Sequence, residues 1–452
     1  MQRSTLATAV LTCTLALGTF AAIGGTAAGA RPPVRADRAA IETGPATAPS
    51  QLPRPTDGAS PEPTREPDPA PTAEPTQGVT GGPAYTFVAA PDFLNQDVGD
   101  LRTLPTWRAG DPNSWTPQLE SSIDVFLDEV ADQDPQAVLV PGDLVEGHWT
   151  KDTGGTGIFG PSSTTRDKVA MVRRAGNFYH SLYRQRFEER GLDLYPAVGD
   201  HDIGDNPWSG PRQAFKREHV GVFKDLFATW YLQERDGSPR FPDRPRHSPW
   251  EDTAYATSLS PDVLLVSVDV FHRTRNDVRT EVVGKQLAWL RQVLHRAQER
   301  GTRWVIVQGH TPVLGPVRYR SSSDLGLRGG AHSPFWRVLE RYGVDMYLAG
   351  EVHDTSVRRA GGVTQVATGG LLYKAEATYL LGQAYDDRLE LEVRELDGEL
   401  TGAGGKLWQL GAYRTNGSRE LTPGSSHTVG TLTLRRNGDQ EDGTGKMVPL
   451  GR

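Results

Sequence analysis

The sequence predicts an α/β fold, and three observations lead there. From Tyr85 onward, short β-rich runs alternate with amphipathic segments, the pattern of strands joined by crossover helices. No repeat of fixed period organises the chain, which sets aside solenoids and propellers. Asp, Glu or His side chains stand just after five of the predicted strands, where the loops of an open α/β sheet converge on a ligand.

The elements follow in order. Tyr85–Ala90 reads as a strand. In Leu119–Val130 the residues Leu119, Ile123, Phe126, Leu127 and Val130 recur at helical spacing. Ala137–Val140 is a strand, Arg166–Arg190 a long helix, Leu194–Val198 a strand and Phe215–Tyr231 a helix. Then come a strand at Val263–Val268, a helix at Lys285–Arg300, a strand at Trp304–Val307, a helix at Pro334–Tyr342 and a strand at Asp345–Leu348. Two more strands are expected near Val363–Ala367 and Leu389–Val393. Trp289, Trp304 and Trp336 read as packing residues, as do Trp107 and Trp115 in core or loop.

This region, residues 84–398, is flanked by different textures. Arg3 precedes an uncharged apolar stretch, Leu6 to Ile23, and Ala28-Gly29-Ala30 supplies small residues for cleavage. Residues 1–30 are therefore expected to be a signal peptide, leaving a secreted or cell-surface chain with no transmembrane segment. Thr12, Thr14, Gly18 and Thr19 interrupt the stretch, and no basic flank follows it, which argues against a membrane anchor. Residues 31–83 hold 13 of the 33 prolines and no aromatic residue, a composition that cannot build a core and suits a disordered tether. Residues 399–452 are rich in Gly, Ser, Thr and Asn, and are expected to be a partly ordered extension with one further strand at Val429–Arg435.

Composition narrows the function. With 49 Lys+Arg against 56 Asp+Glu the formal charge is −7, which gives no nucleic-acid-binding signature and no polybasic membrane patch. The single cysteine, Cys13, lies in the expected signal peptide, so a disulfide framework and cysteine-rich zinc modules are excluded. A metal site here must use His with Asp or Glu, and 11 histidines are available.

The strand ends read Pro91-Asp92-Phe93-Leu94-Asn95, Pro141-Gly142-Asp143, Val198-Gly199-Asp200-His201-Asp202, Gln308-Gly309-His310 and Ala349-Gly350-Glu351-Val352-His353-Asp354. Any one of them alone is a turn. Together, in this order, they resemble the calcineurin-like metallophosphoesterase superfamily, whose motifs run D-x-H, G-D, G-N-H-D/E, G-H and G-H-x-H. The resemblance covers roughly residues 85 to 395. It implies a four-layer αββα sandwich, two mixed β-sheets flanked by helices. It also implies two divalent metal ions at the strand ends, bridged by a carboxylate, with a shared hydroxide that attacks phosphorus. By this resemblance Asp92 serves the first metal, Asp143 bridges, Asp200 and His310 serve the second, and Glu351 and His353 stand at the two ligand positions of the last motif. His201 matches the catalytic histidine, and Asp202 the acidic residue after it, placed to orient its ring. The substrate would be a phosphomonoester or phosphodiester.

Three positions depart from the pattern. Leu94 replaces the first-motif His, with Asn95 beside it; Asp200 replaces Asn; Glu351 replaces His. Asp92, Asp143, Asp200 and Glu351 then make four carboxylates, enough to neutralise two divalent ions, and oxygen-rich ligation favours Mn²⁺, Mg²⁺ or iron over zinc. Glu146 stands where purple acid phosphatases carry a tyrosine, so a tyrosinate–iron centre is not expected. The departures also leave room for a site holding a single ion on Asp143, Asp200, His310 and Glu351, or for a catalytically inactive extracellular binding or scaffold protein on the same fold. Around the site, Glu146, His148, Trp149, Asp205, Asn206 and Trp208 are candidates to line a pocket. Asp269, His272 and Arg273 follow another strand, where a cation could meet a phosphate.

Overall fold

The computed structural model describes residues 82–93, 117–145, 159–318, 323–371, 377–402, 417–436 and 443–451. All lie in the second of the two units into which the chain divides, Gly78–Arg452. The signal segment 1–30, nearly all of the tether 31–83, Leu94, Asn95, Trp107, Trp115, Glu146, His148 and Trp149 fall outside the described residues. No helix among the described residues is long and apolar enough to cross a membrane.

Two six-stranded mixed sheets form the centre of this unit. The first contains β1 (Tyr85–Ala89), β2 (Ala137–Pro141), β3 (Leu194–Ala197), β12 (Ala377–Ala384), β13 (Arg388–Gly402) and β14 (Gly417–Arg435), in the order β14-β13-β12-β1-β2-β3. The second contains β4 (Tyr255–Ser258), β5 (Val263–Ser267), β8 (Trp304–Gln308), β9 (Met346–Ala349), β10 (Ser356–Ala360) and β11 (Val363–Ala367), in the order β10-β11-β9-β8-β5-β4. A small ribbon pairs β6 (Phe271–Arg273) with β7 (Val278–Thr280). In the first sheet β1, β2 and β3 run parallel; in the second β5, β8, β9 and β11 do. These parallel strands are nearly continuous apolar runs, such as Val263–Ser267 and Trp304–Gln308, because they are covered on both faces.

The sheets meet through buried polar and aromatic contacts. Tyr255 Oη donates to the Pro196 carbonyl at 3.0 Å, and Gln308 Nε2 to the Tyr195 carbonyl at 2.9 Å. Helices cover the outer faces. On the first sheet lie α1 (Pro117–Ala131) and α2 (Thr165–Glu189), with Phe126 of α1 edge-on to Tyr379 of β12 at 6.1 Å. On the second lie α5 (Gly284–Arg300) and α6 (Pro334–Arg341), where Phe335 and Trp336 pack on Tyr347 of β9. Trp289, Trp304 and Trp336 are buried in this core, as their sequence context indicates. The arrangement is the αββα sandwich that the motif order implies.

Three local differences from the sequence reading have physical causes. The helix expected over Phe215–Tyr231 is broken at His219 into α3 (Ala214–Glu218) and α4 (Val220–Phe227), where the His219 ring stacks on Phe215 at 4.4 Å. Strand β12 escapes a pattern search because Ala-Thr-Tyr-Leu-Leu-Gly-Gln-Ala is buried almost throughout and does not alternate. Strand β14 is far longer than Val429–Arg435, since pairing with β13 extends it back to Gly417.

Candidate metal centre

Five connections carry the motif residues, and all leave the carboxyl ends of parallel strands. Asp92 follows β1, Asp143 follows β2 and Asp200 follows β3 in one sheet; His310 follows β8, and Glu351 and His353 follow β9 in the other. The backbone stitches these turns together. Asp92 N donates to the Gly142 carbonyl at 3.1 Å, and Gly350 N to the His310 carbonyl at 2.8 Å. Close approach explains the glycines better than turn geometry alone. A Cβ on Gly199 would lie 1.9 Å from Asp143 Oδ1, so only glycine lets the third turn pass the second. Asp92, Asp143, Glu351 and His353 all adopt positive φ, between 56° and 67°. Such conformations cost energy in non-glycine residues and cluster where function demands a fixed geometry.

The six expected ligands converge. Ligand atoms of Asp92, Asp143 and His310 lie within 4.8 Å of one another, as do those of Asp200, His310 and Glu351. His353 Nε2 is 3.6 Å from Asp92 Oδ1. The carboxylates share a pattern, in which one oxygen is tethered and the other faces the centre. Asp92 Oδ1 accepts from Glu351 N at 3.3 Å, Asp143 Oδ1 from His201 N at 3.1 Å and Asp200 Oδ2 from Asn206 Nδ2 at 2.6 Å. Their other oxygens, Asp92 Oδ2, Asp143 Oδ2 and Asp200 Oδ1, are buried without a hydrogen-bond partner. Glu351 Oε1 accepts from Ser323 Oγ at 2.7 Å and Leu325 N at 3.1 Å, which leaves Oε2 toward the centre.

His310 completes the set. Its Nδ1 lies 2.8 Å from the Pro141 carbonyl, which can only accept, so Nδ1 carries a hydrogen. A cation bound inward would displace the proton from Nε2, and the ring with hydrogen kept on Nδ1 is the tautomer a metal ligand needs. Nε2 faces Asp200 Oδ1 at 3.0 Å, Asp143 Oδ2 at 3.2 Å and Glu351 Oε2 at 3.4 Å, yet makes no hydrogen bond. Buried partnerless atoms are costly. Three acceptor oxygens and a ring nitrogen directed at one another fit a cation, which would satisfy all four at once.

The electrostatics agree. Burial works against charge on His310, but the facing carboxylates outweigh it and hold the imidazolium well above its ordinary range. Burial pushes the Asp143 carboxyl up, against the pull of His310 and His201. Burial also opposes ionisation of Asp200, but His201, His310 and the Asn206 amide prevail and bring it down. The cluster has a strong appetite for positive charge.

The two expected catalytic residues separate. His201 Nε2 sits 3.9 Å from both Asp143 Oδ2 and Asp200 Oδ2, at the rim, with its side chain 17% exposed. The carboxylate beyond the ligands that faces this ring is Asp205, with Oδ1 3.8 Å from Nε2. Asp202 is wholly buried and its oxygens are engaged elsewhere. They accept from Asp143 N at 3.0 Å, Gly199 N at 2.8 Å and Val145 N at 3.4 Å. Burial raises its carboxyl to about 6, and these backbone donors hold it from rising further. Asp202 thus pins the second and third turns to each other. Sequence reasoning missed Ser323, which belongs to no motif, and the Pro141 carbonyl, a backbone group 169 residues from the His310 it supports. Asn206, read only as a pocket-lining candidate, holds Asp200. Asp269 is buried with Lys224 and Thr253, and His272 pairs with Glu281 at 2.7 Å, so neither carboxylate–cation set is directed at the centre.

The profile of the calcineurin-like phosphoesterases matches residues 99–354, more than half of the chain. An acid phosphatase of Aspergillus ficuum is 29% identical over 120 residues, 26% of this chain; the match spans only 19% of that protein's length. Among solved structures, PhoD aligns over 84% of this chain and 74% of its own, with 10% identity and a TM-score of 0.48. A purple acid phosphatase from yellow lupin seeds aligns over 69% and 51%, with 13% identity and a TM-score of 0.42.

Proposed function

The chain belongs to the calcineurin-like phosphoesterase family, and from that membership we propose that it is a metal-dependent hydrolase of phosphomonoesters or phosphodiesters. The observation that carries the proposal is the convergence of the buried Asp92, Asp143, Asp200, His310 and Glu351 side chains, whose ligand atoms cluster within 4.8 Å in overlapping sets and include buried atoms without a hydrogen bond. In this reading Asp92 and His353 hold one divalent ion, Asp200, His310 and Glu351 hold the other, and Asp143 is shared. Bound there, the ions supply Lewis acidity toward a phosphoryl oxygen and activation of water at neutral pH.

The protein's own groups do the rest. Tethered carboxylate oxygens fix which oxygen each ligand offers, so the donors are set before a cation arrives. His201, at the accessible rim, donates a proton to the leaving oxygen, and Asp205 Oδ1 lies 3.8 Å from its Nε2. Asp202 keeps the Asp143 and Asp200 turns in register. Three carboxylates and one imidazole around the second position favour Mn²⁺, Mg²⁺ or iron over zinc. The apolar stretch Leu6 to Ile23 and the Ala28-Gly29-Ala30 run support a signal peptide, and with it an activity outside the cell.

Elemental analysis followed by a phosphoester panel tests the proposal. The expected outcome is about two ions per chain, with turnover abolished in Asp143→Asn. A metal-loaded protein that is inert toward both monoesters and diesters overturns it.

A further inference from the structure

We propose that the C-terminal segment Gly443–Gly451 is a clasp for the last metal-bearing loop, with Lys446 as the positioning residue that keeps His353 in place. The proposal rests on the metal-centre reading above. Its basis is a chain of contacts running from one sheet to the other. At its start the segment is fixed to β14: Thr444 N donates to the Thr431 carbonyl at 2.8 Å, and Thr431 N donates to Thr444 Oγ1 at 3.0 Å. Gly445, at φ 50°, passes so close that a Cβ there would lie 2.1 Å from the Val429 carbonyl oxygen. Met447 is fully buried. At its end the segment is fixed to β10 of the other sheet: Leu450 N donates to the Val357 carbonyl at 2.9 Å, and Arg358 Nη1 to the Gly451 carbonyl at 2.8 Å.

Between these anchors it meets the loop after β9. Lys446 Nζ lies 3.4 Å from Asp354 Oδ1 and 3.7 Å from Glu395 Oε2. Arg318 Nη1 spans the same junction, donating to the Thr355 carbonyl at 2.7 Å and the Lys446 carbonyl at 3.2 Å. Asp354 directly follows His353, and its carboxylate is only 3% exposed; its Oδ1 accepts from Thr355 N at 2.7 Å, and Lys446 brings a cation to the same oxygen. Glu351 and His353 sit at φ 67° and 56°, conformations that persist only where the surroundings over-determine them. Lys446 supplies that constraint on the side of the loop nearer His353, which makes the Asp92–His353 position more dependent on it than the position at His310.

The test uses the full chain carrying Lys446→Gln, Mn²⁺ titration by calorimetry, and melting of the metal-free and Mn²⁺-loaded proteins. One ion is expected to bind as in the parent, and the other roughly tenfold more weakly, in the lower part of the range for residues that support a ligand. The metal-free melting temperature should fall, because the buried Asp354 carboxylate loses its cation, the rise on adding Mn²⁺ should shrink, and Lys446→Arg should restore both the melting temperature and the second ion. Parent-like binding of both ions by Lys446→Gln overturns the clasp. So does an equal loss in the Gln and Arg variants together with a metal-free melting temperature lowered in both, which is the signature of general destabilisation. A parent chain that takes up no Mn²⁺ refutes the metal-centre reading itself, an outcome distinct from a failure of the clasp alone.

Discussion

Glu351 is the residue that most separates a working centre from a decayed one. It stands where the family motif has an imidazole, yet its Oε1 has two dedicated donors, Ser323 Oγ and Leu325 N, and its Oε2 faces His310. A vestigial side chain would have no reason to acquire that support. Glu351→Gln keeps an acceptor for both donors and removes one buried charge. We expect Mn²⁺ affinity to fall at least about tenfold and the metal-free protein to melt higher, because like charges are thinned in a buried cluster; calorimetry and thermal melts check both signs. His201 and Asp202 should part company in the same way. His201→Ala should lower turnover by about 10²- to 10⁴-fold with an unchanged melting temperature. Asp202→Ala strands three backbone donors and should cost at least about 2 kcal/mol in denaturant unfolding. The neighbour positions of His201 and Asp202 are visible in the sequence, but their division of labour is not. The donors that define Asp202 belong mostly to Asp143 and Val145, 59 and 57 residues away.

Helices and strands were legible to the degree that their own residues determine them. Helix α2 is an example, since it is specified locally. Thr164 Oγ1 accepts from Asp167 N at 3.1 Å, and Asp167 Oδ2 accepts from Thr164 N at 3.1 Å, a reciprocal cap visible as Thr-x-x-Asp before the helical run. Thr164→Ala should cost about 1 kcal/mol in denaturant unfolding, the usual value of a lost cap. Strands β1, β2, β3, β8 and β9 announced themselves as apolar runs ending in Asp, Glu or His, so the site's scaffold could be read before its geometry. Strands β12 and β14 could not. Tyr379, Leu380 and Leu381 of β12 are all buried, which erases the alternation, and Gly417–Arg435 becomes a strand only because β13 offers it a partner. Whatever depends on a distant partner, the clasp at Lys446 included, lies beyond a linear reading.

The centre also shapes how the domain answers to acid. Asp92, Asp143 and Asp200 are fully buried, as is His180 of α2, whose Nδ1 lies 3.0 Å from Tyr231 Oη. Burial holds the His180 imidazole down to about 3, against 6.5 when free. Between those values the unfolded chain binds a proton that the native state refuses. Stability therefore declines as pH falls from about 6.5 toward 3, by a few kcal/mol at most. Asp202 acts in the opposite direction. Its carboxyl is raised from 3.8 to about 6, so the native state binds more protons than the unfolded chain across that interval, and its contribution improves as pH falls through 6. The two effects overlap between about pH 6 and 4 and partly cancel, which makes a single acid melting curve uninformative. His180→Asn separates them. The amide keeps a polar partner for Tyr231 but has no proton to gain. Melting temperatures of chelator-treated parent and variant at pH 7, 6, 5 and 4.5, at constant ionic strength, should show the gap between them shifting steadily in the variant's favour as pH drops. Parallel curves would mean that His180 charges in the native state without penalty, and that acid sensitivity resides in the carboxylate cluster instead.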